Sequence, residues 1–238
     1  MVKITSERIF IAIPVFNRGR ILAQCVPTVL ASRLPRDLVN LYNDGSTEFS
    51  NAWLTQFGDI IHEGNMHAGI EVQRMFHIRE YWDEHRNIYD YLYLTDADML
   101  HDPGWRTHAL GLFHEHGRHP VCLYNTEAHA RLEGNTVGDR GEDNVIWRKY
   151  APGCSWLLSR DHVEEIIKDR REIRAWDWNC GDILGNLFAI SRTSYVDHIG
   201  VGGLHHPPTE GYNGGDRATD PTPWLVAKRA EVVKELST

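Results

Sequence analysis

The sequence predicts an α/β fold whose central sheet is mostly parallel and flanked by helices. Apolar, β-branched runs such as RIFIAIP (8–14) lack polar alternation, as strands buried on both faces do. Segments of helical periodicity separate these runs, which implies crossover connections and covered faces. Three runs end in turn chemistry or acids: PVFNR (14–18), NDGS (43–46) and DAD (96–98).

The first strand stops at Pro14, and a helical pattern covers 21–31. LVNLYNDGS (38–46) is a second strand closing in the turn residues Asn43, Asp44 and Gly45. A helix over 48–57, a short strand DIIHE (59–63), a longer helix over 69–85 and the strand IYDYLYLT (88–95) continue the alternation. Ligands of such sheets collect at the carboxyl ends of strands, which puts all three polar turns on one edge.

The second half is less regular. A helix is expected over 105–116, a strand at PVCLYN (120–125), and a polar, Gly-rich loop or hairpin over 126–145. SWLLSRDHVEEIIKDRREI (155–173) is a strand turning into a helix, GDILGNLFAI (181–190) a further helix, and SYVDHIGVGG (194–203) a final strand. A Gly- and Pro-dense loop (204–224) precedes a closing helix over 225–236. Neither repeats nor a linker divide the 238 residues, so one domain is expected.

The formal charge of −8, from 25 Lys plus Arg against 33 Asp plus Glu, gives no general attraction to phosphate backbones or anionic membranes. Nucleic acid is therefore disfavoured as a partner, and oligomeric state is left open. Glu7 and Arg8 directly precede the short N-terminal apolar run, which is far shorter than a membrane span. The scattered cysteines Cys25, Cys122, Cys154 and Cys180 form no C-x-x-C pair and point to reduced thiols in a cytoplasmic setting.

Two carboxylates at the end of a rigid strand, Asp96 and Asp98, present oxygen ligands to a hard divalent cation while leaving positions for phosphate oxygens. Asp also serves turns, so capping and solvation are the plain alternatives. IPVFNR, YNDGST, NMHAGIEVQR, TDADM and SYVDHIGVGG, in this order, resemble the nucleotide-sugar-dependent glycosyltransferases of the Rossmann-like GT-A fold, specifically the inverting family 2 type. The resemblance runs from Ile9 to about His205.

The resemblance implies a nucleotide-sugar-binding half over about 1–100 and an acceptor-binding half over about 101–238. It assigns Pro14, Val15, Phe16, Asn17, Arg18 and Asp44 to the nucleoside, Asp44 accepting from the base, with Asn43 where a first acid is usual. Asn65, Gly69 and Arg74 fall in a segment that closes over the nucleotide and diphosphate. In TDADM, Asp98 is the implied direct ligand of Mn²⁺ or Mg²⁺, Asp96 a ribose or metal contact, and Ala97 lies between them. His198 is the implied third ligand, with His205 and His206 as competitors.

An inverting transfer needs one carboxylate to deprotonate the acceptor hydroxyl. AWDWNCGDILGNLF resembles the family's acid motif with Asp177 at the base position; Asp182 is the rival, and one of the two would cap a helix starting near Gly181. Trp156, Trp176 and Trp178 offer flat apolar faces for a pyranose, core packing being the alternative, and Gly153 and Ser155 fall where related enzymes line the acceptor pocket. The expected partners are a nucleoside-diphosphate sugar, UDP-sugars first, and a hydroxyl-bearing acceptor. A nucleotidyltransferase fits less well, since PVFNRGR is a poor Gly-rich phosphate loop, and a non-catalytic binding module would have no use for a base at Asp177.

Overall fold

The central strand β1 (Ile9–Val15) is buried at all seven residues, because the sheet is covered on both faces there. The computed structural model describes residues 6–64, 67–116, 118–139, 144–169, 176–199 and 217–237. After β1 come α1 (Gly19–Leu30), β2 (Leu38–Asn43), the single turn α2 (Asn51–Leu54), β3 (Ile60–Glu63) and α3 (Ile70–Glu80), which runs on as a π-helical segment, Tyr81–His85. Next are β4 (Tyr91–Thr95), β5 (Met99–His101), α4 (Trp105–Glu115), β6 (Val121–Cys122), α5 (Glu127–Ala130), β7 (Thr136–Gly138) and β8 (Val145–Arg148). The chain continues through β9 (Ser155–Ser159), α6 (Arg160–Lys168), α7 (Trp176–Ile183), β10 (Phe188–Ser191), β11 (Val196–His198) and α8 (Pro223–Leu236).

Among the described residues nine strands form one sheet in the order β3-β2-β1-β4-β9-β6-β10-β8-β7. The expected parallel block is its first four strands. Beyond β4 the pairing mixes: β9 runs antiparallel to both β4 and β6, and β10 runs parallel to β6 and antiparallel to β8. Among the described residues no helix is long and apolar enough to cross a membrane.

Two expected helices change, and one element is new. The helix expected over 48–57 shrinks to α2, capped by the Ser50 hydroxyl accepting from Trp53 N at 3.2 Å, while Phe49, Trp53 and Phe57 pack ring against ring around it. The helix expected over 181–190 lies earlier: α7 starts at Trp176, and left-handed Gly185 (φ 79°) and Asn186 (φ 55°) turn the chain into the wholly buried strand β10. Asp177 therefore sits in the first turn of α7, and no helix starts at Gly181 for either acid to cap. The third change is β5, unforeseen, which pairs antiparallel with β11 in a separate two-stranded sheet.

At the start of β1 a buried ion pair ties three elements together. Arg106 of α4 donates to Asp37 from Nε at 2.8 Å and from Nη2 at 3.2 Å, and Asp37 also accepts from the backbone N–H of Ile9 and Leu34. Paired in this way, both charges are satisfied away from water.

Gly153 packs where a side chain has no room, since a Cβ there would clash with the Trp176 ring. Gly153→Ala should cost about 1–3 kcal/mol by overpacking and lower the melting temperature by several degrees. A melting curve that superimposes on the wild type would show that Trp176 moves aside freely.

Candidate active site

The β1–α1 turn is built on two successive left-handed residues, Asn17 (φ 50°) and Arg18 (φ 63°). Non-glycine residues rarely adopt this conformation unless the surroundings hold them in it. Here Asn17 Oδ1 accepts from Thr47 N at 2.8 Å and Glu48 N at 3.3 Å, while Asn17 N donates to Ser46 Oγ at 2.9 Å. These bonds stitch the PVFNR turn to the NDGS turn. Pro14 and Val15 are buried in β1 and shape the strand end, with Val15 O accepting from Asp44 N at 2.9 Å. Asn43 accepts from Ser46 N at 2.9 Å and donates its amide to Asn51 Oδ1 at 2.6 Å, a donation that an ionised acid at this position could not make.

Asp44 is fully buried, and its carboxylate is the hub of the neighbouring segment. It accepts from Ala68 N at 2.9 Å, Gly69 N at 3.1 Å and Gln73 Nε2 at 2.8 Å, and lies 2.7 Å from His67 Nδ1. Gly69 takes φ 90°, a region open to glycine, as it delivers its N–H. The His67 ring lies flat on Phe16, centroids 3.9 Å apart and planes 20° from parallel. Asn65 lies outside the described residues.

Arg74 is fully buried, its guanidinium pairing with Asp96 and standing 5.3 Å above the Trp176 ring. Burial pushes the Asp96 carboxyl up; Arg74 opposes it, and the Asp98 charge adds to the rise. Ala97 spaces the two acids and packs against the core. Asp98 Oδ2 accepts from Arg18 Nη1 at 2.8 Å and stands 3.1 Å from His198 Nε2. Burial favours its protonated form, but His198 and Arg18 outweigh that and bring the Asp98 pKa down to about 2.

His198 reaches Asp98 through the β5–β11 pair, in which His198 opposes Met99 and Ile199 N donates to Asp98 O at 3.1 Å. The closing helix fastens that ribbon: Arg229 of α8 bonds to the His198 carbonyl and to Asp197 Oδ2, the latter at 3.1 Å.

A divalent ion suits this donor set. The 3.1 Å between Asp98 Oδ2 and His198 Nε2 is a hydrogen bond, which the pair would give up to an ion taken between them, as a carboxylate oxygen and an imidazole nitrogen can. Among the described residues no group of three or more His, Cys, Asp or Glu gathers at one point, so the other ligands would come from a bound diphosphate and water. Among the described residues Arg18 Nη2 is buried without a hydrogen-bond partner, a donor beside that position for an anionic oxygen. His205 and His206 lie outside the described residues.

The two candidate bases differ in surroundings. Asp177 is raised by burial and further by the Asp96 and Glu71 charges, although the Trp178 N–H donates to it at 3.0 Å. Asp182 is exposed and accepts from the Tyr150 hydroxyl at 2.9 Å.

The expected acceptor residues divide likewise. Ser155 and Trp156 are fully buried; Ser155 Oγ bonds with Tyr93 OH and Trp156 packs on Phe188 and Trp176, so both support the sheet and present no face to a ligand. Trp176, only 5% exposed, packs on Gly153 and Arg74. Trp178, 39% exposed, is the one of the three with an open face, and Tyr150 lies 4.4 Å from it. Sequence reasoning passed over Tyr150, His67, Gln73 and Arg229, whose partners lie far away along the chain.

The family model for glycosyl transferase family 2 matches residues 10–198. No curated protein matches the sequence at a significant level. Among solved structures, residues 1–349 of S. aureus TarS align with TM-score 0.59 at 11% identity, over 79% of this chain and 59% of that one. TarS 1–349 in complex with UDP-GlcNAc aligns with TM-score 0.58 at 11% identity, over 79% of this chain and 57% of that one. GalNAc-T7 with UDP, GalNAc and Mn²⁺ aligns with TM-score 0.59 at 12% identity, over 81% of this chain and 43% of that one. This chain thus spans less than two thirds of these proteins, and at such identity the likeness speaks to fold. With the family model covering most of its length and this sheet at its centre, the chain belongs to glycosyl transferase family 2 and has the GT-A fold.

Proposed function

We propose that the protein is a metal-assisted inverting glycosyltransferase that moves a sugar from a nucleoside-diphosphate sugar, a UDP-sugar first, to a hydroxyl acceptor. The observation that carries this is the meeting of Asp98, His198 and Arg18 at the strand ends, beside the Phe16–Asp44 slot. Phe16 presents a ring face and Asp44 a carboxylate to the His67 ring, the pair of features that a base with a ring N–H needs. The solved structures of TarS with UDP-GlcNAc and of GalNAc-T7 with UDP, GalNAc and Mn²⁺ support a UDP-sugar donor.

Asp98 and His198 would hold the ion, and an imidazole among oxygen ligands favours Mn²⁺ over Mg²⁺. When bound, the ion neutralises charge growing on the leaving diphosphate. Arg18 contributes its Nη2 N–H, without a partner among the described residues, to the same oxygens. Arg74 fixes Asp96, which would face the ribose. Asp177 takes the acceptor hydroxyl's proton, and the open face of Trp178 seats the acceptor.

The test is thermal stability with UDP plus Mn²⁺ against UDP plus EDTA, since a ligand of the folded state alone raises the melting temperature by mass action. The wild type should show a metal-dependent rise and Asp98→Ala should lose it. UDP affinity in Mn²⁺ that survives Asp98→Ala unchanged would remove Asp98 from the site.

A further inference from the structure

The slot between Phe16 and Asp44 already holds a flat nitrogen heterocycle, the protein's own His67. Its ring stacks on Phe16 at 3.9 Å and its Nδ1 lies 2.7 Å from Asp44 Oδ2. An ionised carboxylate accepts only, so the imidazole is the donor in this bond. A stacking face and one ring N–H aimed at a buried carboxylate are also what uracil would bring.

The other donors to Asp44 are less able to leave. Two are backbone N–H groups, of Ala68 and Gly69, and the third is the amide of Gln73, itself buried. The His67 side chain is 44% exposed, whereas that of Asp44 is not exposed at all. Rotation about its own side-chain bonds takes His67 off the carboxylate, and a base N–H arriving there restores the lost bond one for one. A buried carboxylate is costly to leave short of donors, so an empty slot is disfavoured and an exchange is not.

We infer that His67 is a resident stand-in for the donor's base, and that the nucleotide binds by displacing it. The inference rests on the nucleotide-sugar assignment above. It makes the donor compete with a tethered side chain, and the measured affinity is the intrinsic one reduced by the fraction of molecules whose slot is free. Uracil, thymine and guanine carry a ring N–H for the exchange. Cytosine has an acceptor in place of that ring N–H and would meet Asp44 only through its exocyclic amino group, with the ring shifted from where His67 stands.

Calorimetric titration with UDP in Mn²⁺ tests this. His67→Ala should bind UDP about 5- to 10-fold tighter than wild type, the order expected when one stacked ring and one hydrogen bond are removed from the competing state, and CDP should bind both proteins more weakly than UDP does. In the wild type, the His67 ring signals in nitrogen-correlated NMR spectra should move from a hydrogen-bonded to a solvent-exchanging environment on saturation with UDP. Unchanged or weaker UDP binding by His67→Ala, or His67 signals indifferent to UDP, overturns the stand-in while wild-type UDP binding upholds the donor site. If neither protein binds UDP, GDP or dTDP, the stand-in and the nucleotide-sugar assignment fall together.

Discussion

Asp177→Asn should lower the rate of sugar transfer by about 10²-fold or more while donor affinity stays as it was. The amide keeps the size of the side chain but cannot take a proton. Burial raises the Asp177 carboxyl above its ordinary value, and the Asp96 and Glu71 charges raise it further, as suits a base working near neutrality. The base acts in its ionised form, so kcat/KM should fall as pH falls through the Asp177 pKa. That acid limb should lie above the ordinary Asp value of about 3.9 and vanish in Asp177→Asn. Asp182 is exposed and engaged by Tyr150, so Asp182→Asn should change the rate only a few-fold. The opposite pattern, a large loss at Asp182 and a small one at Asp177, would hand the role to Asp182.

Arg106→Ala should destabilise the fold by about 3–5 kcal/mol, because it strands the buried Asp37 charge without its partner. Asp37 is fully buried and accepts from Ile9 N at 2.9 Å, so its carboxylate also fixes where β1 begins. Removing both charges together should cost less than the sum of the two single losses, since neither is then left alone in the core. Urea unfolding of Arg106→Ala, Asp37→Ala and the double variant measures this. A single-variant loss under about 1 kcal/mol would mean that water or a neighbour replaces the missing partner.

The parallel half of the sheet was readable because its strands are continuous apolar runs that end in turn residues. Phe188–Ser191 misled: an apolar stretch after a helix looks like more helix, and the signal against it was the Gly185–Asn186 pair, a turn dipeptide whose two residues both take positive φ. The three-residue strand β5 is too short to show any period. At the site, the family resemblance pointed to Asp98, Asp96 and His198, with His205 and His206 as competitors, and the structure brings His198 onto Asp98 and turns Asp96 to Arg74. It could not show that Arg18 pairs with Asp98, nor that Asp44 is already satisfied by the chain around His67, because neither contact leaves a local pattern. Burial separated the tryptophans, and burial of one aromatic among several depends on what the rest of the chain places over it.

The β5–β11 ribbon makes half of this site a late event in the life of the chain. Asp98 and His198 are 100 residues apart, and the helix whose Arg229 fastens the ribbon comes later still. Closing so long a loop costs entropy that only distant contacts return, which places such pairings towards the end of folding. Of the two side chains on Asp98, Arg18 comes from the β1–α1 turn and precedes it in the chain, whereas His198 follows it. The four parallel strands all lie within residues 9–95, so the turns at their ends are synthesised well before His198 and Arg229.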